Sequence, residues 1–118
     1  MRGRPQQPST PEVNAAEAAA LIDEGAFLLD VREPEEWLAG RAPAATHIPL
    51  GDLAAQLDDL PKDRKIVIVC RSGGRSGVAT DALVQRGYDA VNLGGGMQAW
   101  AETGRAVVTD GDAEGYVA

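Results

Sequence analysis

The sequence predicts an α/β fold, in which a mostly parallel central sheet of five strands is covered by helices on both faces. The first observation behind this prediction is that strand-like and helix-like segments alternate along the chain. The second is that residues 65–70 form a nearly continuous apolar run, which is typical of a strand buried on both faces. The third is size, because 118 residues with 44% hydrophobic content fit one core rather than two.

One domain is expected over residues 11–108, between two tails. Residues 1–10 combine proline with polar residues and have almost no apolar content, which predicts a disordered N-terminal tail. Residues 109–118 are acidic and contain glycine, so they are expected to form a loose C-terminal tail. Within that tail, Tyr116 and Val117 are the apolar residues that offer a docking point.

The domain is predicted to begin with a strand, a helix and a second strand. Residues 12–13 form the short first strand. Asn14 and Glu17 have the spacing of a capping box, so a helix is expected to start there and to end near Gly25. The apolar run at 26–31 then predicts a buried strand that closes near Asp30.

A short helix, a short strand and a longer helix are predicted next. Pro34 suits the first turn of a helix over 34–40. The acidic residues around it are favourable there, because the N-terminus is the positive end of the helix dipole. Residues 46–50 read as a brief strand. Leucines at helical spacing predict a helix over 51–60, which Pro61 ends.

The second half of the domain is predicted to alternate strand and helix twice. Its elements are a strand at 65–70, a helix at 76–87, a strand at 89–93 and a glycine turn followed by a short helix in 94–104. In the helix at 76–87, Val78, Leu83 and Val84 are expected to share the buried side.

Cys70 stands at the C-terminal end of the central strand, where parallel α/β sheets hold their sites. The two glycines of the loop at 71–76 let backbone amides turn inward, and the following helix adds the positive end of its dipole. Arg71 and Arg75 add full charges. Each feature favours the thiolate, so we expect the pKa of Cys70 to lie below ~8.5, the value of a free cysteine. A cysteine at a strand end is more often a small buried hydrophobe, but this loop favours a nucleophile.

Composition excludes several classes of function. With one cysteine and one histidine, His47, the chain cannot form an internal disulfide or a cysteine-based metal cluster, so no metal or cofactor is expected. The net charge of −7 disfavours nucleic-acid binding. The chain has neither an apolar run long enough for a membrane span nor a secretory signal, so a cytoplasmic monomer is expected. His47 is expected to have a structural or surface role.

The loop Cys70-Arg71-Ser72-Gly73-Gly74-Arg75-Ser76 resembles the active-site loop of the rhodanese family, Cys-Arg-Ser-Gly-x-Arg-Ser. Residues 29–37 (Leu-Asp-Val-Arg-Glu-Pro-Glu-Glu-Trp) and 92–100 (Asn-Leu-Gly-Gly-Gly-Met-Gln-Ala-Trp) are similar to the N- and C-terminal motifs of that family. The resemblance spans residues 11–108 and implies a rhodanese-like three-layer sandwich. One stretch departs from the family's usual Gly-His-Ile-Pro-Gly-Ala, because residues 40–45 read Gly-Arg-Ala-Pro-Ala-Ala, with Arg41 in place of the histidine.

The resemblance assigns roles to the residues of the loop. Cys70 would be the catalytic nucleophile that carries sulfur, and the backbone amides of residues 71–75 would hold that sulfur. The substrate-binding residues would be Arg71, Ser72, Gly73, Gly74, Arg75 and Ser76, and the supporting residues would be Asp30 and Arg32. Two alternatives stay open for Asp30, which either orients one of the loop arginines or pairs locally with Arg32.

The implied activity is transfer of sulfane sulfur from thiosulfate or another small anionic donor, or from a persulfide. The acceptor would be a thiol, cyanide, or a thioredoxin-like or sulfur-relay protein. A cysteine-dependent phosphatase or arsenate reductase places five residues between its cysteine and arginine, whereas four separate Cys70 from Arg75. A non-catalytic, regulatory binding module is the other alternative, although such modules often lack the cysteine. Disulfide exchange needs a second thiol, which the sequence does not contain.

Overall fold

The computed structural model describes residues 10–118, in which five strands alternate with five α-helices. The strands are β1 (Glu12–Val13), β2 (Phe27–Asp30), β3 (Thr46–His47), β4 (Ile66–Val69) and β5 (Ala90–Leu93). The α-helices are α1 (Ala15–Asp23), α2 (Pro34–Ala39), α3 (Leu50–Gln56), α4 (Gly74–Gln85) and α5 (Gly96–Glu102). Short 3₁₀ helices occur at Leu57–Asp59 and Asp110–Asp112. The N-terminal tail expected over 1–10 lies outside the described residues, apart from Thr10.

The five strands form one sheet in the order β1-β5-β4-β2-β3, and every neighbouring pair is parallel. The central strand β4 sends alternate side chains to opposite faces. Ile66 and Ile68 join the core that α3 and α4 cover, whereas Val67 and Val69 join the core that α1 and α5 cover. All four are fully buried, and burial of each stabilises the fold by roughly 1.5–3 kcal/mol. The predicted three-layer α/β fold is therefore confirmed.

Helix α1 begins where the sequence places it. The side-chain oxygen of Asn14 accepts from the Glu17 amide at 2.8 Å, and a Glu17 carboxylate oxygen accepts from the Asn14 amide at 2.9 Å. This reciprocal pair satisfies two amides that the first turn of a helix leaves free, so the predicted capping box is confirmed. Pro34 likewise opens α2.

Among the predicted boundaries that differ from the structure are the end of β3 and the start of α4. The strand expected at 46–50 pairs as a strand only at Thr46–His47, although the Ile48 and Leu50 amides still donate to carbonyls at the end of β2. Pro49 has no N–H to continue the ladder, and it becomes the N-cap of α3 instead. Helix α4 begins at Gly74, two residues before the predicted start at Ser76.

The prediction that Val78 and Val84 share the buried side of α4 is wrong. Val78 is 64% exposed and Val84 is 42% exposed. The buried residues of α4 are Ser76, Ala79, Thr80 and Leu83, which repeat at helical spacing. Most of them are small, so a narrow side of α4 lies close to the sheet and both valines are left outside.

The C-terminal segment lies along the domain, whereas the sequence predicts a loose tail. Val108 pairs in an antiparallel bridge with Arg41, whose guanidinium forms an ion pair with Asp110. The Tyr116 amide donates to the C-terminal end of α2, and Val117 packs against the core beneath α1 and α5. Arg41 therefore ties the last residues of the chain to the body of the domain.

Asp30, the last residue of β2, forms a completely buried ion pair with Arg32. The Arg32 Nη2 atom donates to the carboxylate at 2.8 Å and also to the Gly40 carbonyl at 2.8 Å. Of the two alternatives for Asp30, the structure shows the local pair with Arg32. The pair fixes the turn that leads from the sheet into α2.

Replacing Asp30 by alanine should destabilise the fold by about 3–5 kcal/mol, because Arg32 would keep a buried charge without its partner. Urea unfolding measures the loss. Asp110→Ala is the matched control, since it breaks another arginine–carboxylate pair whose carboxylate side chain is 77% exposed. That variant should lose less than about 1 kcal/mol. Similar losses in the two variants would contradict a dominant role for the buried pair.

Candidate active site

Cys70 is the first residue after β4, and the loop that it opens is held in place by α5. The Met97 amide donates to the Cys70 carbonyl at 2.8 Å, and the Gln98 amide donates to the Arg71 carbonyl at 3.1 Å. Gly96 allows this contact, because a Cβ atom there would lie 2.5 Å from the carbonyls of both loop residues. The first turn of α5 is thus a rigid support for the beginning of the loop.

The loop then turns back over the sulfur through Gly73. This residue has φ +111°, in the left-handed region that other residues rarely adopt, and it caps the N-terminus of α4. Its amide donates to Cys70 Sγ at 3.1 Å, and the Ser76 hydroxyl lies 3.3 Å from the same sulfur. The sulfur is therefore enclosed by hydrogen-bond donors from its own loop.

Cys70 is 1% exposed, and this burial by itself would raise the pKa of its thiol. Hydrogen bonds from the Ser76 hydroxyl and from the amides of Ser76, Gly73 and Ser72 act in the opposite direction. They outweigh burial, so the pKa of Cys70 lies below its ordinary value. The direction agrees with the sequence prediction, and the main causes that lower the pKa are the Ser76 hydroxyl and the loop amides, of which the sequence predicted the amides.

Arg75 is paired with Glu36 of α2. Its Nη1 and Nη2 atoms donate to the two carboxylate oxygens at 2.7 and 2.8 Å. These hydrogen bonds lower the pKa of Glu36 to about 2 and raise the pKa of Arg75. The pair clamps the first turn of α4 to α2, and it leaves little of the Arg75 charge unmatched.

Arg71 lies exposed at the edge of the loop. Its Nε atom donates to the Ala118 carbonyl at 2.8 Å, and the amide oxygen of Gln98 can accept from Nη1 and Nη2 at 3.1 and 3.2 Å. Among residues 10–118, no aspartate or glutamate side chain forms a salt bridge with Arg71. Arg71 therefore differs from Arg75, whose guanidinium is held by a carboxylate side chain.

Asn92 of β5 joins the site from the neighbouring strand. Its side chain is buried, and its oxygen accepts from the Ser76 hydroxyl at 2.6 Å. Its amide nitrogen donates to the Gly73 carbonyl at 3.0 Å and to Glu12 Oε1 at 3.1 Å. Sequence reasoning places Asn92 only inside a motif. A polar side chain within an otherwise apolar strand is the signal that could have identified it.

The structure thus brings most of the predicted site residues together around Cys70. Ser72, Gly73 and Ser76 contribute donors, Arg71 and Arg75 lie beside the loop, and Gly74 starts α4. Asp30 and Arg32 pair with each other. They therefore stabilise the turn before α2 and do not orient the loop arginines.

In the part of the chain that the structure describes, the hydrogen-bond partners of Cys70 Sγ are Gly73 and Ser76, and His47 is not one of them. His47 stacks on Trp37 with ring centroids 4.7 Å apart, and its Nε2 atom lies 2.7 Å from the Arg32 carbonyl oxygen. Within residues 10–118, no three histidine, cysteine, aspartate or glutamate side chains are placed to hold a metal ion. Across the same range, no helix is both long and apolar enough to cross a membrane.

Comparisons with known proteins agree with this geometry. The family model for the Rhodanese-like domain matches residues 14–103. A putative sulfurtransferase of Bacillus subtilis is 42% identical over 94 residues, which cover 75% of this chain and 91% of that protein. A sulfurtransferase of Allochromatium vinosum is 43% identical over 86 residues, which cover 72% of this chain and 80% of that protein. The crystal structure of a rhodanese-related protein from Thermoplasma volcanium is 35% identical and has a TM-score of 0.80, covering 85% of this chain and 99% of that one.

Gly96→Ala should disturb the sulfur, because the added Cβ would displace the carbonyls of Cys70 and Arg71. We expect alkylation of Cys70 by iodoacetamide at neutral pH to slow about tenfold, the effect of a pKa that is higher by about one unit. Gly104→Ala is the matched control, since Gly104 also has a positive φ (+83°) but has no atom within 4 Å of an added Cβ. Backbone strain should cost each variant about 1–3 kcal/mol. Equal alkylation rates in the two variants would count against the support role of α5.

Glu36→Gln should weaken the dependence of the free energy of unfolding on pH in the acid range. Because the folded pKa of about 2 lies below the ordinary 4.5, ionised Glu36 stabilises the fold above pH 4.5. This contribution disappears as the pH falls from 4.5 towards 2. Urea unfolding over that range should therefore show a weaker pH dependence in the variant. Glu35→Gln, which changes a neighbouring carboxylate of α2, should keep the wild-type slope, and a Glu36 variant with that slope would refute the assignment.

Proposed function

The chain belongs to the rhodanese-like domain family, and from this premise we propose that it is a sulfurtransferase that carries sulfane sulfur as a persulfide on Cys70. The observation that carries the proposal is the enclosure of a single buried sulfur by donors from its own loop, at 3.1 Å from the Gly73 amide and 3.3 Å from the Ser76 hydroxyl. Such donors favour the thiolate, and the loop amides among them would also hold the charge of a terminal persulfide.

In the first half-reaction, the Cys70 thiolate attacks the outer sulfur of thiosulfate or of a persulfide donor. A new S–S bond forms at Cys70 while the donor's own S–S bond breaks, and sulfite or a thiolate leaves with the electron pair. Arg71 is the residue that we assign to anion binding, because it is exposed and no aspartate or glutamate side chain among residues 10–118 pairs with it. Arg75, which is bound to Glu36, is assigned to positioning of the loop.

In the second half-reaction, an acceptor attacks the outer sulfur and Cys70 leaves as a thiolate. The chain has one cysteine, so no resolving thiol is available within it and the acceptor must come from outside. A low-molecular-weight thiol, cyanide, or a thioredoxin-like or sulfur-relay protein has the required nucleophile. The loop amides would stabilise the negative sulfur before and after this step, much as an oxyanion hole stabilises an alkoxide.

Incubation with thiosulfate should add the mass of one sulfur atom to the protein, and a reductant should remove it. Intact-mass spectrometry checks this, and Cys70→Ser should gain no mass. Steady-state kinetics with thiosulfate and cyanide should give the parallel lines of a ping-pong mechanism.

Two controls sharpen the test. Arg71→Ala should raise the thiosulfate concentration needed for half-maximal loading by about tenfold, the effect of losing one charge-assisted hydrogen bond. Lys62→Ala, which removes a charge beside the Tyr88 ring, should leave loading unchanged.

Hydrolysis of p-nitrophenyl phosphate without sulfur loading would favour a phosphatase. Stable partner binding that survives in Cys70→Ser, with no turnover, would favour a docking module.

A further inference from the structure

The hydroxyl of Ser76 has one hydrogen and two acceptors. Its Oγ atom lies 2.6 Å from Asn92 Oδ1 and 3.3 Å from Cys70 Sγ. Ser76 is fully buried, so in this position water does not serve as a third partner. A hydroxyl can donate only one hydrogen at a time, and the two acceptors therefore compete for it.

The orientation of the Asn92 amide is fixed from its other end. Its nitrogen lies within hydrogen-bond distance of two acceptors, the Gly73 carbonyl and Glu12 Oε1. Two acceptors on that side assign the nitrogen to it and leave the oxygen facing Ser76. Because a carbonyl oxygen cannot donate, the short contact at 2.6 Å needs the Ser76 hydrogen.

We propose that Asn92 is a positioning residue that accepts the hydrogen bond of the Ser76 hydroxyl while Cys70 Sγ is uncharged. When Sγ becomes a thiolate, the hydroxyl donates to the sulfur instead. In the thiol state, the Cys70 S–H can donate to Ser76 Oγ while the hydroxyl donates to Asn92. In the thiolate state, the hydroxyl turns to the charged sulfur, since a hydrogen bond to an ion is the stronger one. Asn92 Oδ1 then loses its donor.

This inference rests on the proposed function only where it concerns the persulfide. In a persulfide, the charge lies on the outer sulfur, so Sγ is a weak acceptor and the hydroxyl is expected to stay with Asn92. When an acceptor thiolate attacks the outer sulfur, its new S–S bond forms as the Sγ–S bond breaks and the electron pair moves to Sγ. The Ser76 hydrogen then swings to the departing thiolate, and a more stable leaving group departs faster.

The charged groups that face Cys70 stay the same when Asn92 is replaced by an uncharged residue. The charged groups on the elements around the loop are Arg71, the Arg75–Glu36 pair, Glu12 of β1 and the Asp30–Arg32 pair, and His47 of β3 is the titratable group beside the last of these. Asn92→Leu keeps similar volume and adds no charge. The substitution of Asn92 can therefore change the pKa of Cys70 through the Ser76 hydroxyl or through the Gly73 carbonyl.

A double-mutant cycle separates these two routes. Asn92→Leu, Ser76→Ala and the double variant are titrated by thiolate absorbance. The curve of the matching Cys70→Ser protein is subtracted, so the remaining signal reports the single cysteine. With Ser76 present, Asn92→Leu should lower the pKa of Cys70 by about one unit, roughly the effect of one hydrogen bond. With alanine at position 76, the same substitution should leave the pKa unchanged.

Thr80→Val provides the matched control. Thr80 is a buried hydroxyl of the same helix that donates to the Ser76 carbonyl at 2.8 Å rather than to the sulfur. Its loss should leave the pKa of Cys70 unchanged. If Asn92→Leu does not fold, Asn92→Ala takes its place in the cycle.

Equal shifts in both backgrounds would overturn the proposal, because Asn92 would then act through the Gly73 carbonyl. An upward shift, or no shift, in the Ser76 background would overturn it as well. The titration uses neither donor nor acceptor. Failure of the proposed sulfur transfer would therefore leave this result intact, and failure of the cycle would leave sulfur transfer untouched.

Discussion

The site depends on a balance between burial of the Cys70 sulfur and the donors that surround it. Burial disfavours the thiolate, and the short turn through Gly73 offsets that cost by directing main-chain amides and one hydroxyl to the sulfur. This balance holds only if the turn is rigid, because a hydrogen bond to sulfur weakens quickly when the donor moves away. Much of the domain can be understood as support for that turn. Strand β4 places the sulfur at the carboxyl end of the sheet's central strand. Helix α5 holds the carbonyls of Cys70 and Arg71 by hydrogen bonds from its first turn.

The two arginines of the loop have different surroundings, although their positions in the sequence look equivalent. Arg75 is held by Glu36, and its charge is largely matched within the protein. Arg71 is exposed, and one of its hydrogen-bond partners is the main-chain oxygen of Ala118. The segment that leads to Ala118 pairs with Arg41 through Val108 and Asp110. Arg41 therefore holds the start of the C-terminal segment against the domain.

Buried polar groups lie on both sides of the central strand. At the end of β2, Asp30 pairs with Arg32 and fixes the turn into α2, although Arg32 Nη1 is buried without a hydrogen-bond partner among residues 10–118. On β5, Asn92 links the loop to β1 through Glu12. Such groups are costly to bury without partners, so each one ties a particular turn to a particular neighbour. Apolar packing stabilises the layers, while these polar contacts specify the shape of the turns at the carboxyl ends of the strands, including the loop that begins at Cys70.

The sequence by itself determined the α/β layers, the capping box of α1 and the loop that begins at Cys70. Those features are local, since alternation, spacing within a turn and the residues next to a strand end act over a few positions. Tertiary structure alone decided that Glu36 pairs with Arg75, that Asn92 meets Ser76 and that the C-terminal segment lies against α2. These contacts join residues far apart in the chain, which became neighbours only when the strand order β1-β5-β4-β2-β3 was set. No local pattern encodes that order, because it follows from how the whole chain buries its apolar faces on both sides of one sheet.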